Sequence, residues 1–276
     1  MPTVLVTRPE QQTEPLKSDL ERLGFDVLLQ PTIEILPPEN WVEVDDAIRR
    51  LIGPDEKNSF DWLVFFSTNG VDFFFNRIET IREEVYDEED FDPEKTRFGA
   101  SPSLVEFLRP VRLAVVGNMT EHTLTRRVGR RADVLPDTFT AEDVVENLLD
   151  EARQGKRFLV LRANRGRDVI RRRLTEAGGI VAEIVVYRSV DVKTPDPDLV
   201  RAMHNGEIEY ATVTSSAIAR SLVRLFGDAL RRTKLVSISP ITSQTLEEIG
   251  FPPSYEAGEA SMRGIAEVFV QMEYSG

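Results

Sequence analysis

No cysteine occurs among the 276 residues. That absence excludes disulfides, a thiolate nucleophile, iron–sulfur clusters and thiolate zinc sites together. Histidine is nearly as scarce. His122 and His204 lie far apart with no ligand spacing between them, and without a partner motif each reads as a surface residue, so no metal site is expected. No apolar run approaches the roughly 20 residues that span a bilayer. The opening Met1-Pro2-Thr3-Val4-Leu5-Val6-Thr7-Arg8 lacks the basic-then-apolar order of a signal peptide and reads as a first core strand. A cytoplasmic location without a membrane partner is the expectation. Asn118-Met119-Thr120 fits the glycosylation sequon, but nothing indicates secretion, so the match is discarded. Neither G-x-x-x-x-G-K-[ST] nor G-x-G-x-x-G occurs, which leaves a nucleotide or flavin without support. Positive charge is short as well: 34 Lys and Arg stand against 47 Asp and Glu, a net charge of −13. Such a chain repels nucleic acid globally. An anionic ligand must be held locally, by arginines, backbone N–H groups or helix N-termini.

Hydrophobic residues make up 41% of the chain, enough to fill real cores, and at about 150 residues per domain the length suggests two domains. The chain also repeats itself in four pieces. The first runs from Val4-Leu5-Val6-Thr7-Arg8-Pro9 through Leu16, Leu20 and Leu23 to Gly24 and Val27-Leu28-Leu29. It returns as Phe158-Leu159-Val160-Leu161-Arg162, Ile170, Leu174 and Ala177, Gly178-Gly179 and Ile184-Val185-Val186-Tyr187. The second, Trp62-Leu63-Val64-Phe65-Phe66 with Ser67-Thr68-Asn69-Gly70, is echoed by Tyr210-Ala211-Thr212-Val213 with Thr214-Ser215-Ser216-Ala217. The third, Leu113-Ala114-Val115-Val116 with Gly117-Asn118-Met119-Thr120, is echoed by Leu235-Val236-Ser237-Ile238 with Ser239-Pro240-Ile241-Thr242. The fourth joins an extended stretch to Thr140-Ala141-Glu142-Asp143, with its echo at Ala260-Ser261-Met262-Arg263. Each piece is a short apolar strand, a polar turn and a helix, which predicts two related α/β domains with parallel sheets and helices on both faces. The acidic stretch from Glu79 to Phe107 reads as a solvated helix and loop.

In parallel sheets ligands sit outside the C-terminal strand ends, where all these turns fall. Their hydroxyls can cap helices, and the free N–H groups behind them can hold anions. Capping alone explains any one turn. Several, mirrored in two domains and facing one cleft, favour multipoint anion binding by Ser67, Thr68, Asn69, Asn118, Thr120, Thr214, Ser215, Ser216 and Thr242. Arg8 and Arg162 end the two matching strands and join that group. Asn164-Arg165-Gly166-Arg167 follows a strand and opens a helix; an anion site and a solvent-facing turn are both open there. Arg171-Arg172-Arg173 reads as surface. Tyr187, by pattern a strand aromatic, is also the most plausible proton donor near a strand end, since a phenol can protonate a leaving hydroxide without a metal.

Val4-Leu5-Val6-Thr7-Arg8-Pro9, Leu23-Gly24-Phe25, Phe65-Phe66-Ser67-Thr68, Val115-Val116-Gly117-Asn118-Met119-Thr120, Val186-Tyr187 and Ile238-Ser239-Pro240-Ile241-Thr242 together resemble the uroporphyrinogen-III synthase family, from Val4 to about Phe269. Each motif is short; their order and spacing are the specific part. The resemblance implies two similar doubly wound parallel-sheet domains joined by a two-stranded linker, with a cleft between them. Residues 1–36 plus 193–276 would form domain 1 and 37–192 domain 2, with linkers near Ile35–Pro38 and Ser189–Pro195. It implies closure of hydroxymethylbilane, a linear tetrapyrrole with eight carboxylates, into uroporphyrinogen III, with loss of water and inversion of ring D through a spiro intermediate. No cofactor is implied. Tyr187 becomes the candidate acid, and Thr120 with Thr242 and Ser67 with Thr214 become matched cleft residues. Two departures stand out. Ser239 occupies a position where the family often has glycine, and Thr214 one where serine is usual.

Two other readings compete: a non-catalytic two-domain binder of a polyanionic ligand, and a nucleotide-dependent transferase, which would need the phosphate loop that is absent. A monomer is the expected state.

Overall fold

A computed structural model describes residues 1–52, 59–86, 108, 110–138 and 140–274. Most of the acidic stretch, from residue 87 to 107, lies outside the described residues. The strands are β1 (Thr3–Val6), β2 (Asp26–Leu29), β3 (Ile33–Leu36), β4 (Trp62–Phe65), β5 (Arg112–Val115), β6 (Arg157–Ala163), β7 (Ile180–Asp191), β8 (Tyr210–Val213), β9 (Lys234–Ser237) and β10 (Tyr255–Glu256). The α-helices are α1 (Glu14–Arg22), α2 (Val42–Ile52), α3 (Thr68–Tyr86), α4 (Asn118–Val128), α5 (Ala141–Arg153), α6 (Val169–Glu176), α7 (Pro197–Asn205), α8 (Ser216–Phe226), α9 (Pro240–Glu248) and α10 (Met262–Tyr274).

The chain divides into two compact units, Met1–Ile35 with Val190–Gly276 and Leu36–Ser189. Unit 1 holds a sheet in the order β10-β9-β8-β1-β2, parallel throughout. Its inner strands β1, β8 and β9 are buried on both faces because helices cover both. Val4 and Val6 point one way, onto Leu16 and Leu20 of α1 and Ile265 and Phe269 of α10. Leu5 points the other way, towards Met203 of α7 and Ile218 and Leu222 of α8, as the two-residue period of a strand requires.

The second sheet has the order β3-β7-β6-β4-β5, with β7, β6, β4 and β5 parallel; it belongs to unit 2 except for residues 33–35 of β3 and 190–191 of β7, which fall in unit 1. Trp62, Val64, Phe158 and Val160 pack against α5 and α6. On the opposite face Phe65 meets Phe74 and Phe75 of α3, with ring centroids at 5.9 and 5.7 Å. An isolated bridge from Ala114 to Val134 extends this sheet beyond β5. The order Val134-β5-β4-β6-β7 therefore matches β10-β9-β8-β1-β2 strand for strand, and the fourfold repeat of the sequence is a repeat in space. β3 is the strand outside that match. The segment near Ile35 that reads as a linker is part of it.

Both sheets reverse direction at one place. In unit 2 the chain leaves β4 towards β5 and leaves β6 towards β7, so a crevice opens between the turns after β4 and β6. In unit 1 the equivalent crevice lies between the turns after β1 and β8. Such reversals are where open α/β sheets take ligands.

Candidate active site

At the unit 2 reversal the β4–α3 turn supplies Ser67, Thr68 and Asn69. Ser67 Oγ accepts the N–H of Gly70 at 3.2 Å and shares a hydrogen bond with Tyr187 Oη at 2.9 Å, across 120 residues of sequence. Tyr187 reaches it because the β6–β7 register shifts between Arg162 and Ala163, so that Ala163 rather than Asn164 is the near neighbour of Tyr187. Strict alternation from Val185, which pairs with Arg162, would turn Tyr187 towards α5 and α6. The irregularity re-aims it to the α3 side, where Phe73 stacks on its ring at 5.9 Å and 20°.

Tyr187 is 8% exposed. Burial pushes its pKa up, because the charged phenolate loses water; hydrogen bonds from Ser67 and Asn69 and the charge of Arg165 pull partly back. The loop after β6 is fastened to the same strand. Asn164 N donates to Tyr187 O at 3.2 Å. Asn164 Oδ1 accepts from Ser189 N at 2.9 Å, and Arg165 Nη2 donates to Ser189 Oγ at 2.5 Å. The result is a neutral phenol beside two polar side chains and a guanidinium, an arrangement able to give a proton and to tolerate the anion left behind.

The other arginines of that loop are committed elsewhere. Arg162 pairs with Glu183 at 3.0 Å and donates to the carbonyls of Ala163 and Gly166. Arg167 pairs with Glu142 at 2.6 Å. Arg171, Arg172 and Arg173 pair on the surface with Asp168, Glu176 and Glu146.

The hydroxyl candidates separate by what they bond. Thr120 is buried and its hydroxyl returns to Val116 O at 3.3 Å. Thr242 is buried, 3.2 Å from the Ser239 hydroxyl. Ser215 caps α8 by accepting Ile218 N, and Ser216 bonds Thr245 at 2.7 Å. These four stabilise helix starts and helix contacts. Asn118 is exposed at the first turn of α4 and lines a pocket with His122 and Arg131. Thr214 and Arg8 stand at the unit 1 reversal, half-buried. Ser239 caps α9 with extended backbone, φ −163°, whereas Gly117 at the matching turn has φ 98°. The sequence reading missed Phe73, which carries no distinguishing pattern in a helix. It also missed Glu183, whose signal was available: one acid in the apolar run Ile180-Val181-Ala182-Glu183-Ile184-Val185.

Two α/β units of matching strand order, one with a buried tyrosine among polar turns at its reversal, define a small-molecule enzyme of the doubly wound class. The family model described as uroporphyrinogen-III synthase HemD matches residues 14–267, and the chain belongs to that family, enzymes of tetrapyrrole biosynthesis. It is 29% identical to the uroporphyrinogen-III synthase of Synechococcus elongatus, over 95% of this chain and 92% of that one. It is 26% identical to that of Chlorobaculum parvum, over 97% and 99%. A solved structure of a mutant uroporphyrinogen III synthase from the extremely thermophilic bacterium Thermus thermophilus superposes with a TM-score of 0.67 at 19% identity, covering 100% of both chains; at that identity the match bears on the fold. Among the described residues no group of three or more His, Cys, Asp or Glu is placed to hold a metal, and no helix is long and apolar enough to cross a membrane.

Proposed function

We propose that the chain closes hydroxymethylbilane to uroporphyrinogen III, with Tyr187 as the acid that releases water from ring A. The observation that carries the role is the Tyr187–Ser67 hydrogen bond at 2.9 Å, at the sheet reversal and under Phe73. The phenol proton passes to the hydroxymethyl oxygen as its C–O bond breaks, the pyrrole nitrogen supplying the electron pair. Water leaves and a protonated azafulvene remains, its positive charge balancing the phenolate. Ser67, Asn69 and the charge of Arg165, which favour the ionised tyrosine, hold the phenolate until it is reprotonated. Attack by the substituted carbon of ring D then gives the spiro intermediate, which fragments and recloses with ring D inverted. Uncatalysed closure gives the type I isomer, so holding the chain in the spiro-forming shape is the larger part of the task. No cofactor enters these steps, and the reading takes the protein as a cytoplasmic monomer.

The test supplies fresh hydroxymethylbilane and separates the oxidised uroporphyrins by chromatography. Mostly type III isomer is expected from the wild type. Tyr187→Phe should lower kcat about 10²- to 10⁴-fold, the range of general acid catalysis. Type I alone from folded wild-type protein would remove the enzymatic reading and put the binder first. Full kcat in Tyr187→Phe would remove the acid role.

A further inference from the structure

Arg8 and Arg162 are the same residue of the repeat, Arg162 near the end of β6 and Arg8 two residues past the end of β1. In unit 2 the guanidinium is answered from within, since Arg162 lies 3.0 Å from Glu183 with the pair 12% and 16% exposed. In unit 1 the answering residue is missing. β1 pairs Val4 with Val27, Leu5 with Leu28 and Val6 with Leu29; β6 pairs Phe158 with Val181, Leu159 with Ala182 and Val160 with Glu183. Leu29 therefore occupies the position of Glu183, and it is 42% exposed, an apolar side chain where its counterpart closes an ion pair.

The hydrogen-bond partners of Arg8 are neutral. Its guanidinium touches the sulfur of Met262, at the start of α10, and Nη2 donates to Gln12 Oε1 at 3.0 Å. Nε is sealed from solvent without a partner. Among the described residues no carboxylate pairs with Arg8. Burial draws its pKa down, as expected of a cation without a counter-ion. Arg8 follows Val6 by two residues, as the half-buried Thr214 follows Thr212, the β8 partner of Val6. An uncompensated cation of this kind costs stability, and the cost is offset when an anion arrives. The residue keeps part of its surface open, so an anion can reach it.

We propose that Arg8 is an open carboxylate receptor in unit 1, taking one acetate or propionate carboxylate of the tetrapyrrole at the place where unit 2 uses its own Glu183. The ligand class rests on the functional reading above; the open cation does not. Two variants test it in opposite ways. Arg8→Met removes the receptor, and Leu29→Glu fills it with the carboxylate that unit 2 already has. Each should raise KM for hydroxymethylbilane about 10- to 100-fold, the range of a lost charge-assisted hydrogen bond. Neither should lower Tm, and Leu29→Glu should raise it. Titration with uroporphyrin III, followed by quenching of its fluorescence, gives the same comparison without turnover. If both variants bind uroporphyrin III within twofold of the wild type, the receptor is wrong. A fall in Tm for Arg8→Met with unchanged binding would make Arg8 a fold residue and overturn it equally. Failure of the enzymatic reading looks different, because the wild type would then yield type I isomer while the uroporphyrin titration still decides the receptor.

Discussion

Tyr187 is held between opposing influences. Burial favours the neutral phenol, while Ser67, Asn69 and Arg165 favour the phenolate, and burial wins. A donor must be protonated at rest and must survive ionisation in passing, and this balance suits both demands. The folded chain holds the proton above the ordinary tyrosine value of about 10. The unfolded chain releases it first as pH rises. The stability tied to this group is therefore complete below about pH 10 and is lost as pH climbs through the folded value. The difference between the phenolate absorbance titrations of wild type and Tyr187→Phe isolates this one residue of the five tyrosines. It should appear above the ordinary value, and Ser67→Ala, which removes a contact that lowers the pKa, should move it higher. A step at or below the ordinary value would mean that burial does not dominate. The sequence offered Tyr187 as a candidate donor near a strand end and Ser67 as a turn hydroxyl; the structure sets Tyr187 inside β7, four residues before its end at Asp191. Their contact was not legible, because it depends on a one-residue register shift that no local pattern marks. The fate of Arg162 was hidden for a related reason: only the register sets Glu183 beside it.

The elements were the most legible level. Four-residue apolar runs followed by Ser, Thr or Gly turns announce strands buried on both faces, and the turns sit at helix starts because their hydroxyls satisfy free N–H groups. Thr140, Ser215 and Ser239 all accept such a hydrogen bond. What the pattern cannot give is the backbone angle at matching turns. Gly117 and Ser239 occupy the same repeat position, yet Gly117 has φ 98° and ψ 152°, a region open to glycine almost alone. Ser239, at φ −163°, is in extended backbone that any residue adopts. The exchange is thus asymmetric. Gly117→Ser should cost about 1–3 kcal/mol. Ser239→Gly, which loses only a cap, should cost about 0.3 kcal/mol. Urea unfolding of the two variants measures both, and equal costs would show that the two turns share one conformation after all.

At the scale of the whole molecule, a net charge of −13 confronts a proposed substrate with eight carboxylates. Composition announces that conflict without resolving it, because local placement of arginines is not a compositional property. Nor do the parallel strands say which sheet each joins; the division of the chain rests on the resemblance and not on any residue pattern. The described structure places guanidinium groups at both reversals, Arg8 in unit 1 and Arg165 in unit 2, with Arg165 held on Ser189. These cations act at contact distance, whereas the net charge acts across the solvent. Salt separates the two ranges. The screening length falls from about 30 Å at 0.01 M to about 8 Å at 0.15 M ionic strength, and partly buried contacts are screened far less than exposed ones. Long-range repulsion should therefore fade first, and kcat/KM for hydroxymethylbilane should rise between those two salt concentrations before it falls at higher salt. A steady decline from the lowest salt onwards would mean that the arginines at the reversals already overcome the acidic surface at a distance. In that case the substrate would be drawn in by a local positive field, and not merely held once it arrives.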